Sequence, residues 1–148
     1  MTSRPISLVL ASASPRRLAL LDQIGITPDQ VLATDIDETP RRGELPADYA
    51  RRMAREKAAA AAIHDLAAGA AILAGDTVVA RGRMILPKTE TEDEARQCLA
   101  LLSGRRHRVL GGIALRCPDG LLVARLVTSR VTMKRLSGSE IDSYIATG

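Results

Sequence analysis

With 148 residues, 46% of them hydrophobic, the chain is long enough for one domain with a core of its own. Two Tyr and no Phe or Trp make that core aliphatic and argue against single-stranded nucleic acid as a partner, because such sites stack bases on aromatic rings. The net charge of +4 favours anionic partners, yet the arginines behind it lie in small groups between acids. Cys98 and Cys117 lack metal-ligand spacing, nothing at the start resembles a secretory signal, and no apolar run reaches membrane-spanning length, so a reduced cytoplasmic protein is expected.

Residues 6–10 are β-branched and aliphatic and read as a short buried strand. A helix follows: Ser14 is a good N-cap, Pro15 suits the first helical position, Leu18, Leu21 and Ile24 supply a buried stripe, and Gly25 ends it. Arg16 and Arg17 then fall in the first turn, where cations oppose the helix dipole unless an anion reverses the balance. Free N–H groups, the Ser12 and Ser14 hydroxyls and two guanidinium forks would converge on one oxyanion. An ordinary strand-turn-helix with two solvated arginines fits the same octet.

Residues 31–44 read as a polar connection carrying Asp35, Asp37 and Glu38. Pro46 opens a long helix to about Leu66, with Tyr49, Met53, Ala60 and Ile63 on its inner side. Lys57 shares the side of Met53, so it must snorkel or point into a cleft. Arg52 and Glu56 are spaced for a helix-surface ion pair that needs no function. Residues 70–80 read as a central strand, apolar on both faces, which Asp76 interrupts. An acid in such a run must be paired, hydrogen-bonded, metal-bound or at the strand's exposed end, and because Val78 and Val79 resume the strand at once, a bulge or cleft edge at Asp76 is favoured over a simple turn.

Residues 81–83 form a hairpin turn leading to Lys88, and Thr91 with Glu94 makes a capping box for a helix to Leu102. Two strands joined at Pro118, Asp119 and Gly120 follow, then a helix opened by a Ser137–Glu140 box and left at Gly148. His64 and His107 read as structural. Neither HExxH, paired CxxC, Walker-type nor GxGxxG motifs occur, and no serine or cysteine triad can be argued. What remains is a set of cations (Arg16, Arg17, Lys57, Lys88) and oxygen ligands (Glu38, Asp76) at element ends or in awkward places. Such a set fits a polyphosphate held with a hard divalent cation such as magnesium, and hence a nucleotide.

LASASPRR (10–17), Arg52-x-Ala54-x-x-Lys57-Ala58, GDTVV (75–79), LPK ending in Lys88, and LSGRRHRV (102–109) resemble, in order, the motifs of the Maf family of nucleoside triphosphate pyrophosphatases. The resemblance implies a mixed α/β fold related to inosine triphosphate pyrophosphatases, with a central sheet flanked by helices and an elongated, two-lobed shape around a cleft. It implies hydrolysis of a nucleoside triphosphate to monophosphate and pyrophosphate with a divalent metal, Mg or Mn. Ser12, Ser14, Arg16, Arg17, Lys57 and Lys88 would bind the triphosphate. Asp76 would be the proton acceptor and, with Glu38, a metal ligand.

Within the family, Asp-Thr at the strand motif resembles the dTTP/UTP branch, whereas Asp-Gln marks the 7-methyl-GTP branch; here Asp76 precedes Thr77. Arg16 and Thr77 match two specificity positions of the former. A third, a glutamine in the family's C-terminal segment, has no counterpart before Gly148, so a single domain lacking that segment is expected. LPK also replaces the commoner GKP. A non-catalytic nucleotide-binding regulator of cell division and a basic nucleic-acid module are the rival readings, the second supported by charge alone. Neither nucleic acid nor membrane is expected as a partner, and a homodimer is one candidate assembly.

Overall fold

A computed structural model describes residues 5–147. Among them the chain forms a six-stranded mixed sheet with helices on both faces, as the resemblance implies. Strand β1 (Leu8–Ala11) leads into helix α1 (Pro15–Gln23), followed by β2 (Gln30–Leu32) and helix α2 (Pro46–Ala62). The long strand β3 (Ala71–Arg81) turns into β4 (Met84–Leu86), helix α3 (Glu92–Leu102) follows, and β5 (Arg106–Arg116), β6 (Leu122–Thr132) and α4 (Gly138–Ala146) complete the order. The sheet runs β2-β1-β3-β5-β6; β1 is parallel to both neighbours, and the β3–β5 and β5–β6 pairs are antiparallel.

One feature of this topology makes room for a site. On one edge β3 pairs with β1 only as far as Ala11↔Ala74, and β4 takes up the same edge only from Val79↔Leu86. Residues 75–78, which include Asp76, therefore pair on their β5 side while this edge opens beyond the carboxyl end of β1. In α/β sheets, ligands bind in such crevices outside strand carboxyl ends.

The aliphatic core lies between α2 and one sheet face. Ala54, Ala58 and Ala61 pack with Val9, Ala11, Ile72, Ala74 and Ala114, while Tyr49, Ala50 and Met53 pack with Val78, Ala80 and Leu110. The side chains on the helix are small, so α2 lies close to the sheet. At Gly112 a Cβ would stand 2.3 Å from the Ala50 carbonyl oxygen, so only glycine fits there. Burial of this apolar interface is the main term holding α2, and everything it carries, against β3.

Several sequence expectations need correction. The first strand begins at Leu8, and Ile6 is exposed because no neighbour pairs there. The stripe on α1 is buried only at Leu21; Leu18 and Ile24 are exposed, since α1 lies on the sheet face opposite α2 and meets few covering side chains. The connection at 31–44 contains the end of β2, a three-residue strand whose pairing with β1 its polar neighbours conceal. Helix α2 stops at Ala62, where His64 caps a short 3-10 turn by accepting from the Leu66 N–H; this leaves Ile63 exposed and Ala60 only half-buried. No bulge or turn occurs at Asp76: β3 pairs residue for residue with β5 from Ile72 to Ala80, placing Asp76 opposite Gly112.

The capping boxes divide. Ser137 and Glu140 form the full reciprocal box, whereas Thr91 accepts from the Glu94 N–H while the Glu94 carboxylate accepts from the Glu90 N–H instead. The Ser137 helix ends at Ala146, and Gly148 lies outside the described residues.

Candidate active site

Alternation along β3 separates two groups of side chains. Ile72, Ala74, Asp76, Val78 and Ala80 face α2 and are buried, while Gly75 and Thr77 face the side of α1. Asp76 is the one acid in this buried row, with 4% of its surface exposed. Its charge is met by Lys57 from α2, whose Nζ lies 2.8 Å from Asp76 Oδ1. Lys57 thus points inward from the helix, resolving the choice between snorkelling and cleft.

Glu38, from the irregular segment before α2, closes the other side of this ammonium: Lys57 Nζ lies 3.0 Å from Glu38 Oε1. Lys88, beyond β4, donates to the same Oε1 at 3.2 Å from an exposed position. Burial pushes the Glu38 carboxyl up, but hydrogen bonds from Lys57 and Lys88 outweigh it and hold its pKa below the ordinary range. Glu38, Asp76, Thr77, Lys88 and the ring of Tyr49 line one cavity of about 240 Å³.

On the α1 side, Ser12 is buried and its Oγ accepts from the Ser14 N–H at 3.1 Å and from Arg17 Nη1 at 3.2 Å. Arg17 Nη2 donates to Thr77 Oγ1 at 3.3 Å, and the guanidinium crosses β3 at Gly75, where a Cβ would crowd Nε at 3.3 Å. Arg17, Asp76 and Thr77 line a second cavity of about 280 Å³ whose other walls are apolar. Arg16 is exposed in the same turn and has no ion-pair partner among the described residues. Ser14 occupies the N-cap position, but its hydroxyl makes no cap bond, contrary to expectation.

The structure therefore brings together Ser12, Arg17 and Thr77 in one group and Glu38, Lys57, Asp76 and Lys88 in another, joined through the adjacent residues Asp76 and Thr77 of β3. His107 does not belong to either. It is buried on β5, its Nδ1 lacks a hydrogen-bond partner, and it lines a separate groove with α3 and α4.

The polar contacts of Glu44 and Tyr49 were not legible in the sequence. Arg52 forms the expected ion pair with Glu56, through Nη1 at 3.4 Å, and also turns its fork on Glu44, with Nε and Nη2 each 2.7 Å from a carboxylate oxygen. Tyr49, expected only as an inward apolar residue, also donates its hydroxyl to the Glu38 carbonyl at 2.6 Å. A tyrosine amid alanines, in a chain with only two, was the available signal.

Two carboxylates approaching one cation are also what a divalent metal requires. Lys57 Nζ already occupies a point reached by both Glu38 and Asp76, and magnesium commonly uses one or two carboxylates with phosphate oxygens and water completing its shell. The donor set fits. No cluster of three or more acidic, His or Cys ligands exists among the described residues, so substrate oxygens would have to contribute.

A mixed sheet that gathers arginines, lysines and carboxylates where a parallel strand stops has the architecture of phosphate-binding α/β proteins. Solved structures share its fold: a nucleoside-triphosphatase/dITP/XTP pyrophosphatase from Mycobacterium abscessus matches with a TM-score of 0.54 at 20% identity over 88% of this chain and 74% of that one. The Ham1 protein of Staphylococcus aureus matches with a TM-score of 0.57 at 20% identity, over 85% and 71%. The chain belongs to the Maf-like protein family, whose model matches residues 7–148. It is 60% identical over 141 residues to a dTTP/UTP pyrophosphatase of Novosphingobium aromaticivorans, covering 95% of this chain and 69% of that protein. A dTTP/UTP pyrophosphatase of Caulobacter vibrioides is 58% identical over 142 residues, covering 96% and 72%. No helix among the described residues is long and apolar enough to cross a membrane.

Proposed function

We propose that this protein is a nucleoside triphosphate pyrophosphatase acting on dTTP and UTP, releasing the monophosphate and pyrophosphate. The observation that carries the reading is Asp76, buried mid-strand at an open sheet edge and bound to Lys57 within reach of Glu38. The likeness to dTTP/UTP pyrophosphatases over nearly the whole chain supports the substrate class, and Thr77 after Asp76 supports the pyrimidine branch.

Asp76 accepts a proton from the water that attacks the α-phosphorus, and the bond between that phosphorus and its bridging oxygen breaks. Lys57 and Lys88 face the site from α2 and the loop after β4, where their charge offsets that developing on departing pyrophosphate. Arg17, held by Ser12 and Thr77, presents its guanidinium on the other flank beside the exposed Arg16. Glu38 and Asp76 are the residues that would hold Mg or Mn; when bound, such an ion supplies Lewis acidity toward the phosphoryl oxygens. The two thiols are unpaired, which suits a cytoplasmic setting.

The test is pyrophosphate release from dTTP, UTP, 7-methyl-GTP and CTP with Mg or Mn, comparing the chain with Asp76→Asn. The reading expects release from dTTP and UTP that falls about a hundredfold or more in the variant. Preference for 7-methyl-GTP would move the chain to the other branch; metal-dependent nucleotide binding without release would make it a binding protein.

A further inference from the structure

We infer that Arg52 is a positioning residue for the metal-binding carboxylate: with Glu44 and Tyr49 it forms a brace that fixes Glu38 over Lys57 and Asp76. The inference rests on the proposed function above, and adds to it a device that acts through the backbone of the Glu38 segment. Residues 33–45 contain no helix or strand, so nothing in regular secondary structure holds Glu38 in place. Its carboxylate nevertheless meets Lys57 and Lys88 on one oxygen. The fixing comes from α2 by way of the backbone.

Tyr49 Oη donates to the Glu38 carbonyl at 2.6 Å, and Arg52 Nη2 donates to the next carbonyl, that of Thr39, at 3.1 Å. Tyr49 and Arg52 are three residues apart and so share a helix face. The arginine lies over the tyrosine ring, 5.6 Å from its centroid. Glu44 then fixes the arginine itself: both carboxylate oxygens receive the fork at 2.7 Å, with the two side chains only 15% and 9% exposed. The Arg41 N–H also donates to Glu44, at 3.0 Å, closing the far end of the loop on the same carboxylate. The direct hydrogen bond from Arg52 holds the Glu44 pKa at about 2, so the carboxylate that receives the fork stays charged throughout the neutral range.

The geometry requires a planar fork. Lysine at position 52 keeps the charge but cannot serve Glu44 bidentately and Thr39 at once. The test measures Mn(II) binding by electron paramagnetic resonance on the protein without nucleotide, and the metal dependence of pyrophosphate release, in Arg52→Gln, Arg52→Lys, Glu44→Gln and Tyr49→Phe. Arg52→Gln and Glu44→Gln are each expected to weaken Mn(II) binding about tenfold. The metal concentration for half-maximal release should rise in parallel, with nucleotide KM at saturating metal within twofold of the parent. Arg52→Lys should not restore binding, and Glu44→Gln/Arg52→Gln should be no worse than Arg52→Gln alone, because both substitutions dismantle one device. Tyr49→Phe, which removes a single hydroxyl, should weaken Mn(II) binding about threefold with the fold intact.

Mn(II) binding equal to the parent's in folded Arg52→Gln and Tyr49→Phe would overturn the brace while leaving the enzymatic reading untouched. Rescue by lysine, or additive losses in the double variant, would likewise overturn it. A parent that binds Mn(II) but releases no pyrophosphate would sink the enzymatic reading alone, and the Mn(II) titrations would still decide the brace; a parent that binds no Mn(II) would overturn the brace.

Discussion

Lys57 Nζ stands 2.8 Å from Asp76 Oδ1 and 3.0 Å from Glu38 Oε1, so one ammonium serves two carboxylates from different parts of the chain. It is the internal counter-ion of the site. Any divalent cation drawn to the same two acids must share them with this lysine or displace it.

Lys57→Met is therefore expected to act in opposite directions on two observables. Without metal, the variant leaves Asp76 buried and uncompensated, costing about 3 kcal/mol of stability. With Mn(II) the lost stability should return, and Mn(II) should bind more tightly than to the parent because its internal competitor is gone. Pyrophosphate release should still fall if Lys57 offsets leaving-group charge as proposed. Thermal unfolding across a Mn(II) titration checks the first two outcomes and a release assay the third; weaker Mn(II) binding in the variant would contradict the competition.

Stability should depend on acid through Glu44. The Arg52 hydrogen bond lowers its folded-state pKa from 4.5 to about 2, so the unfolded chain takes up the proton first as pH falls. Its contribution is fully present above about pH 4.5 and is lost between there and about pH 2. Glu44→Gln should lower stability at neutral pH and flatten the decline across that window, measured by denaturant unfolding from pH 2 to 7. An unchanged slope in the variant would show that other carboxylates govern the acid limb.

Gly112→Ala tests the seating of α2. The added methyl would fall 2.3 Å from the Ala50 carbonyl oxygen, a backbone atom that cannot swing aside, so the helix must lift from the sheet. Overpacking of this kind costs about 1–3 kcal/mol. Because Lys57 and Tyr49 ride on the same helix, activity should fall by more than the loss of stability alone explains when both are measured at a temperature where the variant is folded. Parent-like turnover in the folded variant would show that the site tolerates a displaced helix.

The structure also separates local from distant information. Ser137 and Glu140 lie three residues apart, and their capping box could be read directly because helix ends are satisfied by near neighbours. The turn after Arg81 was equally local: Arg81 pairs with Met84. Lys57 and Asp76 were conspicuous because a charge in an apolar row needs a partner, although that partner was 19 residues away and unnamed. The five ordered motifs named the family for the same positions.

What the chain alone did not disclose depended on three-dimensional neighbours. Leu18 and Ile24 have helical spacing, but whether a stripe is covered depends on what lies across the sheet face, and there they remain exposed. Asp76 suggested an interrupted strand, yet the Gly112 opposite it and the open edge beyond β1 let the pairing run straight through. Lys88 reaches Glu38 across 50 residues, and Arg52 adds to the expected Glu56, one turn along its own helix, a shorter bidentate pair with Glu44 in a loop. Sequence determined which residues needed a partner, because propensity, capping and burial cost act locally; tertiary structure decided which partner each received, because electrostatic pairing depends on distance in space.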